Sequence, residues 1–360
     1  MSQFRPASYR HAPEMALRYT MGSINRNPTL TAPAPAPWIC LCAAALALLG
    51  ATPARAIMAG AAPDSAAARV DANVATSAFA GVAAVNVNGG TYSGVVIAPQ
   101  YVLTAAHVAA AAGGNLAAFQ VLLNPGGTQW STTVVSATLY PSYSFPYDDL
   151  AILQLAAPVP AGVPIYPLYS GSLQTGLILV LAGYGQSGNG NVGPSTGTST
   201  ALKRTGKNTL DELTPTLDTS GLSSRFFVYD FDGPSGNGSL GGPSLGNAIE
   251  TMVAPGDSGG PSFVQVGANL QLLGINTFAA ATLSNQSPTY TFGNVGGGIV
   301  AADPRFACWL QSATQGTTPG ASGCVTDSDG PLPLWSYLVL GGTLLAMTRC
   351  RHGSHPDSAR

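Results

Sequence analysis

Residues 256–261 read Gly256-Asp257-Ser258-Gly259-Gly260-Pro261. A serine between glycines fits the sharp strand-to-helix elbow of an α/β-hydrolase, in which the histidine partner follows the serine in the chain. Downstream of Ser258 the only histidines are His352 and His355, in a basic tail beyond the last apolar stretch. Upstream, His11 precedes an apolar leader, so His107, in Thr104-Ala105-Ala106-His107, is the single histidine of the part expected to fold. An α/β-hydrolase also needs strands alternating with helices. This chain offers short apolar runs broken by glycine and proline, and a β architecture with the histidine ahead of the serine follows.

Composition supports that reading. Of 360 residues only 8% are charged, while glycine (44) and proline (28) are plentiful; globular proteins average about a quarter charged residues. Alternating runs at Val82–Val87, Ser93–Ile97, Tyr101–Thr104, Thr132–Leu139, Leu150–Leu155, Ile178–Ala182, Phe226–Phe231, Ser262–Val266, Leu270–Asn276 and Gly298–Val300 read as strands. Short strands at this spacing predict paired barrels or a sandwich. Helix is expected only at Ala105–Ala112, for a turn or two, and at Arg305–Ser312. The segment Gln186–Asn247, rich in Gly, Ser, Thr and Asn, reads as long loops with one strand inside. With 14 basic and 16 acidic residues the net charge is −2, too little field to gather nucleic acid or an anionic membrane surface.

A serine hydroxyl is a poor nucleophile. It needs a base within hydrogen-bond reach and a carboxylate to fix that base's tautomer. His107 is the available base. Asp149, placed just before the apolar run Leu150-Ala151-Ile152-Leu153-Gln154-Leu155, would sit at the buried end of a strand. Asp148 competes for the same place, and register favours Asp149, leaving Asp148 as a solvated loop charge. Small residues around Ser258 let the backbone bend sharply and free the N–H groups of Gly256 and Ser258 to converge on one point, as an oxyanion hole requires.

On these residues the chain resembles the chymotrypsin-type (trypsin-like) serine proteases. The matching pieces are Leu103-Thr104-Ala105-Ala106-His107, Asp149 to Leu155 and Gly256 to Pro261, in the family's order His, Asp, Ser. The resemblance runs from about Ile57 to Gln311. It implies an all-β fold: two six-stranded antiparallel β-barrels with the active site in the cleft between them, and a short C-terminal helix. It implies His107 as general base, Asp149 as its orienting partner, Ser258 as nucleophile, and Gly256 and Ser258 as oxyanion donors. By the same resemblance Met252 is the floor of the substrate pocket, with Thr277, Phe278 and Ala279 on its wall, and Thr277 could hydrogen-bond Asp149. An uncharged floor implies an uncharged or apolar P1 residue. The family's activation device implies a pair between a freed Ile57 ammonium and Asp257. The substrate is then protein or peptide, cleaved through an acyl-enzyme, with no cofactor. The rival outside enzymes is an inactive trypsin-like pseudoprotease serving as a surface binding module.

The flanks read as sorting signals. Arg10, Arg18 and Arg26, the apolar run Trp38–Gly50 and the small-x-small Ala54-Arg55-Ala56 make a signal peptide cut before Ile57. Thirteen apolar residues fall short of the roughly twenty needed to span a bilayer. The expected organisation is a signal peptide at 1–56, a first barrel at 57–168, a second at 169–315, a linker at 316–333, an apolar anchor or sorting segment at 334–348 and a basic tail at 349–360. The protein would be exported: periplasmic, on the cell surface or secreted, with membrane or surface attachment through the tail. Cys308 and Cys324, the two cysteines of the mature body, could close a loop of about fifteen residues, worth about 3 kcal/mol in the chain-entropy model; two independent thiols are the other reading. Asp230 and Asp232 flank Phe231, with Asn237 and Glu250 further on. Hard oxygens suit calcium, but the spacing lacks EF-hand regularity, so the acids read as strand alternation and no metal is assigned.

Overall fold

The computed structural model describes residues 57–217, 223–236, 238–281 and 289–321. The signal peptide, Cys324, Asn237 and the C-terminal apolar segment expected from the sequence lie outside them. Among the described residues no helix is long and apolar enough to cross a membrane.

The first sheet contains β1 (Val82–Val87), β2 (Gly90–Ala98), β3 (Tyr101–Thr104), β4 (Phe119–Leu123), β5 (Trp130–Thr132), β6 (Val134–Leu139) and β7 (Ala151–Leu155), with helix α1 (Ala106–Ala110) leaving the end of β3. Its order is β5-β4-β1-β2-β3-β7-β6, all antiparallel. The two edges, β5 and β6, are halves of one run parted only at Thr133. One half bonds to β4 and the other to β7, so the sheet closes on itself and counts six strands around.

The second sheet repeats the device. It holds β8 (Ile178–Gly183), then, after a small ribbon of β9 (Ser187–Asn189) and β10 (Gly193–Thr196), β11 (Arg204–Thr209), β12 (Glu212–Leu217), β13 (Ser223–Asp230), β14 (Pro261–Val266), β15 (Asn269–Ala280) and β16 (Val295–Ile299). The order is β11-β8-β14-β15-β16-β13-β12. Here β11 and β12 are the two halves of the closing strand, with Leu210 bonded to Leu177 and Asp211 to Val228 across the bend. The two six-stranded barrels expected from the sequence are therefore present, each closed by one bent strand.

The region 186–247 departs from its sequence reading. It contains β9, β10, β11, β12 and β13 rather than a single strand. The runs Arg204-Thr205-Gly206-Lys207-Asn208-Thr209 and Glu212 to Leu217 lack apolar alternation; each is held by a ladder to one neighbour, β11 to β8 and β12 to β13. The buried partners on β11 are polar: Asn208 donates to the carbonyls of Asp230 and Thr251, both at 2.7 Å.

One hydrophobic cluster runs through the first barrel and into the second, joining Val85, Leu103, Ile152 and Val180 to Phe263, Ile275 and Ile299. The C-terminal helix α2 (Ala307–Ala313) follows a short 3-10 turn and returns from the second barrel to the first, burying Phe306 and Leu310 in that same cluster. Tyr140 meets Phe306 and Trp309 edge-on at 4.8 and 5.2 Å. Asp148 takes part in this fastening. It is fully buried, accepts from Ser142 Oγ at 2.7 Å and pairs with Arg305 at 2.6 Å. It is not the solvated loop charge expected from the sequence.

Candidate active site

The register of β3 against β7 sets the first half of the site. Thr104 pairs with Ala151, which brings the chain leaving β3 beside the chain entering β7. His107, in the first turn of α1, and Asp149, two residues ahead of β7, therefore meet. Asp149 is fully buried and grips His107 twice: Oδ1 accepts the His107 backbone N–H at 2.8 Å, and Oδ2 lies 2.6 Å from Nδ1. A carboxylate at Nδ1 holds the proton there and leaves Nε2 as the base. The ring itself is about one quarter exposed, with Phe145 against it edge-on at 5.4 Å.

The second half comes from the loop between Val253 and β14. Ser258 shares with His107 the wall of a cavity of about 300 Å³. No hydrogen bond joins Ser258 Oγ to His107 among the described residues; such contacts commonly tighten only when substrate is bound. The loop is pinned to the first barrel by Ser93 on β2, whose N–H donates to the Ser258 carbonyl at 3.0 Å and whose Oγ donates to the Gly256 carbonyl at 3.0 Å. Ser93 is a positioning residue that nothing in the local sequence pattern marks.

Two glycines make that approach possible. Gly259 has φ +80°, and a Cβ there would lie 2.0 Å from Thr104 Oγ1 and 2.4 Å from the Ser93 carbonyl. Gly256 has φ +95°, with Thr198, Gly185 and the Thr91 carbonyl all within 3 Å of where a Cβ would stand. With both turns in place, the N–H groups of Gly256 and Ser258 have no acceptor among the described residues, while Asp257, Gly259 and Gly260 donate to Ala254, Asn276 and Asp257. Two unspent donors beside a serine form a ready site for an oxyanion.

Asp257 sits beneath this loop, fully buried. Its carboxylate accepts from the N–H groups of Ala254 and Gly185, each at 2.9 Å, and from the nitrogen of Ile57 at 3.2 Å. Burial pushes its pKa up to about 7, against the pull of those three donors and of Arg204. Ile57 is itself fully buried and packs in the second-barrel core with Leu181 and Val300. The pair expected from the sequence is thus in contact.

The cavity differs from expectation at its floor. Thr277, Phe278 and Ala279 line it, together with Asn276 of the same strand and with Val253, Ala254, Pro255, Tyr290 and Phe145. Met252 does not line it. Its side chain points inward and packs fully buried with Met58, Phe231 and Ala254. Counting back from the serine misplaces the floor because Val253 and Ala254 come between Met252 and the cavity. Thr277 likewise turns away from the expected partner: its Oγ donates to the Ile275 carbonyl of its own strand at 3.3 Å. Apart from His107, the lining carries no group charged near neutrality.

A family model for the trypsin-like peptidase domain matches residues 92–275, from β2 through the nucleophile loop into β15. The chain belongs to that family. No curated protein matches it. In a trypsin-like peptidase this arrangement suits hydrolysis of a peptide bond: a hydroxyl, an imidazole held in one tautomer by a buried carboxylate, and paired N–H donors on one wall.

Proposed function

We propose that this chain is an exported serine endopeptidase that cleaves peptide bonds through an acyl-enzyme. His107 Nε2 takes the proton of Ser258 Oγ as the oxygen attacks the scissile carbonyl. Asp149 stabilises the imidazolium that forms, and the N–H groups of Gly256 and Ser258 receive the oxyanion. The imidazolium then passes its proton to the leaving amine. Water repeats the sequence on the acyl-Ser258 ester, and the enzyme returns to its starting state. The double grip of Asp149 on His107, in register with two unspent N–H donors at Ser258, carries this reading. A pseudoprotease would have no need of all three at once.

Specificity follows from the lining. With Ala254, Thr277, Phe278, Ala279 and Tyr290 around the cavity and no carboxylate among them, the P1 side chain is uncharged and predominantly apolar. A Lys or Arg would bury its charge without a partner. Signal cleavage before Ile57 would release an ammonium already positioned at Asp257, so export would itself complete activation. Cys308 with Cys324 is the disulfide that fits the oxidising compartment, and the tail after residue 333 would anchor or sort the product.

Labelling by an active-site phosphonate, lost in Ser258→Ala, tests the enzyme claim. Folded, correctly processed protein that takes no label would instead support the surface binding module. A cleavage profile over a peptide library tests the P1 assignment, which fails if Lys or Arg is preferred.

A further inference from the structure

In the second barrel, outside the cavity that holds Ser258, the fold gathers acids that the sequence keeps apart. Asp230 closes β13, Asp232 follows in the next turn, and Glu250 arrives from a loop eighteen residues on. Their ligand oxygens all lie within 4.8 Å of one another, and all three residues are buried. Asp211 adds a fourth carboxylate, accepting the Asp230 backbone N–H at 3.0 Å. None of the five ion pairs among the described residues involves any of these four acids. The guanidinium of Arg69, which reaches the main chain at Glu250, is committed to Asp64 and to the carbonyls of Ile249 and Glu250.

The members differ in one respect that points outside the protein. Asp230 accepts from the Leu240 N–H, and Glu250 from Ser244 Oγ at 2.7 Å and Leu245 N–H at 2.9 Å. Asp232, only 6% exposed, offers a carboxylate that accepts no hydrogen bond among the described residues, although it faces the other two at ligand distance. A carboxylate with no donor and no counter-charge, facing two other acids, is repelled by its neighbours. A cation supplies what it lacks.

We propose that Asp230, Asp232 and Glu250 form a calcium site. Three carboxylates are hard oxygen donors, and main-chain carbonyls and water complete the shell of about six to eight oxygens that Ca²⁺ takes. Calcium is favoured over magnesium, which demands near-ideal octahedral geometry, gives up its water reluctantly and is seldom held by an all-protein cage. The ion ties the segment after β13 to the stretch of chain that seats the N-terminal segment. Directly after Glu250, Thr251 Oγ donates to the Met58 carbonyl, and the Met252 carbonyl accepts the Met58 N–H at 2.9 Å.

The test uses the processed protein carrying Ser258→Ala, so that self-cleavage cannot imitate a stability effect, and its readouts are independent of catalysis. After chelation, about 5 mM Ca²⁺ is expected to raise the unfolding midpoint by about 4 °C or more, with calorimetric binding of one ion, and the same concentration of Mg²⁺ by much less. Asp232→Asn is expected to abolish both the binding heat and the shift, while its calcium-free midpoint stays at or above that of the parent, because a repulsive charge has gone. Glu250→Gln is expected to weaken binding at least about tenfold. Absence of calcium binding in the parent overturns the proposal. So does a calcium shift that survives in Asp232→Asn, or a calcium-free Asp232→Asn midpoint well below the parent's, since either would make the carboxylate structural and place any ion elsewhere.

Discussion

The two barrels share one plan, six strands closed by a bent one, yet they are held by different means. The first is apolar almost throughout: β1, β3 and β7 bury nearly every residue, and the dyad of His107 and Asp149 stands at the junction of two of these strands. The second is closed by polar strands, and its business end is a chain of loops held by hydrogen bonds: Asp257 with Ile57, Gly185 and Ala254, Ser93 with Ser258 and Gly256, Asn208 with Asp230 and Thr251. The base is therefore placed by a packed core, and the nucleophile by hydrogen bonds reaching across to the other barrel. A substitution in the first barrel should be felt as chemistry or as global stability. One in the second should be felt as misplacement of Ser258.

The strongest test of that contrast removes the base alone. His107→Ala is expected to lower kcat by at least about 10⁴-fold with little loss of stability, because the ring is partly exposed and carries little of the core. Residual activity within tenfold of the parent would break the assignment, since no other histidine lies in the described body. Next in size is Gly259→Ala. A methyl group 2.0 Å from Thr104 Oγ1, on a backbone at positive φ, must push the two barrels apart at the nucleophile. An expected loss of about 10²-fold or more in kcat/KM, with destabilisation of about 2–4 kcal/mol, would be read by kinetics and by denaturant unfolding.

A smaller effect separates the charged from the uncharged form of the Ile57 contact. In a mature chain with one extra residue ahead of Ile57, the nitrogen at Asp257 is an amide, and burial holds the carboxyl near pKa 7. The folded state then keeps a proton that the unfolded state, at about 4, has released. Stability falls as pH rises from about 4 to 7 and is level above that, by a total on the order of 4 kcal/mol. The chain beginning at Ile57 carries an ammonium there, favours the carboxylate, and is expected to lack most of this fall. Identical pH profiles for the two forms would remove Asp257 from the activation device. The smallest effect is at Met252: Met252→Leu, a near-isosteric change in a packed cluster, should cost less than about 1.5 kcal/mol and leave the cleavage profile unchanged. A changed P1 preference would return Met252 to the pocket.

The same contrast explains how much could be read from the chain. Strands β1, β2, β3 and β7 were legible because they are short apolar runs, almost wholly buried, bounded by glycine, proline or polar residues. So were His107, Asp149 and Ser258, whose neighbours form compact motifs. Strands β11 and β12 were not, because each is an edge laddered to one neighbour, β8 or β13, and carries mostly polar residues where an apolar stripe would have marked it. Asp148 was read as solvated because the residue that buries it, Arg305, lies 157 positions away. Met252 was placed in the pocket by counting residues, and counting cannot show which way a side chain turns.

The sequence by itself determined the β class, the order of base, carboxylate and serine, and the glycines without which the nucleophile loop could not bend. These are properties of local backbone freedom and of spacing along one chain. Only the tertiary structure decided that Asp148 is an internal ion pair, that Ser93 holds the serine's loop, that Val253 and Ala254 rather than Met252 face the cavity, and that Glu250 comes to lie beside Asp232. Each depends on segments far apart in the chain, and their energies are set by what closes around a group once solvent has gone.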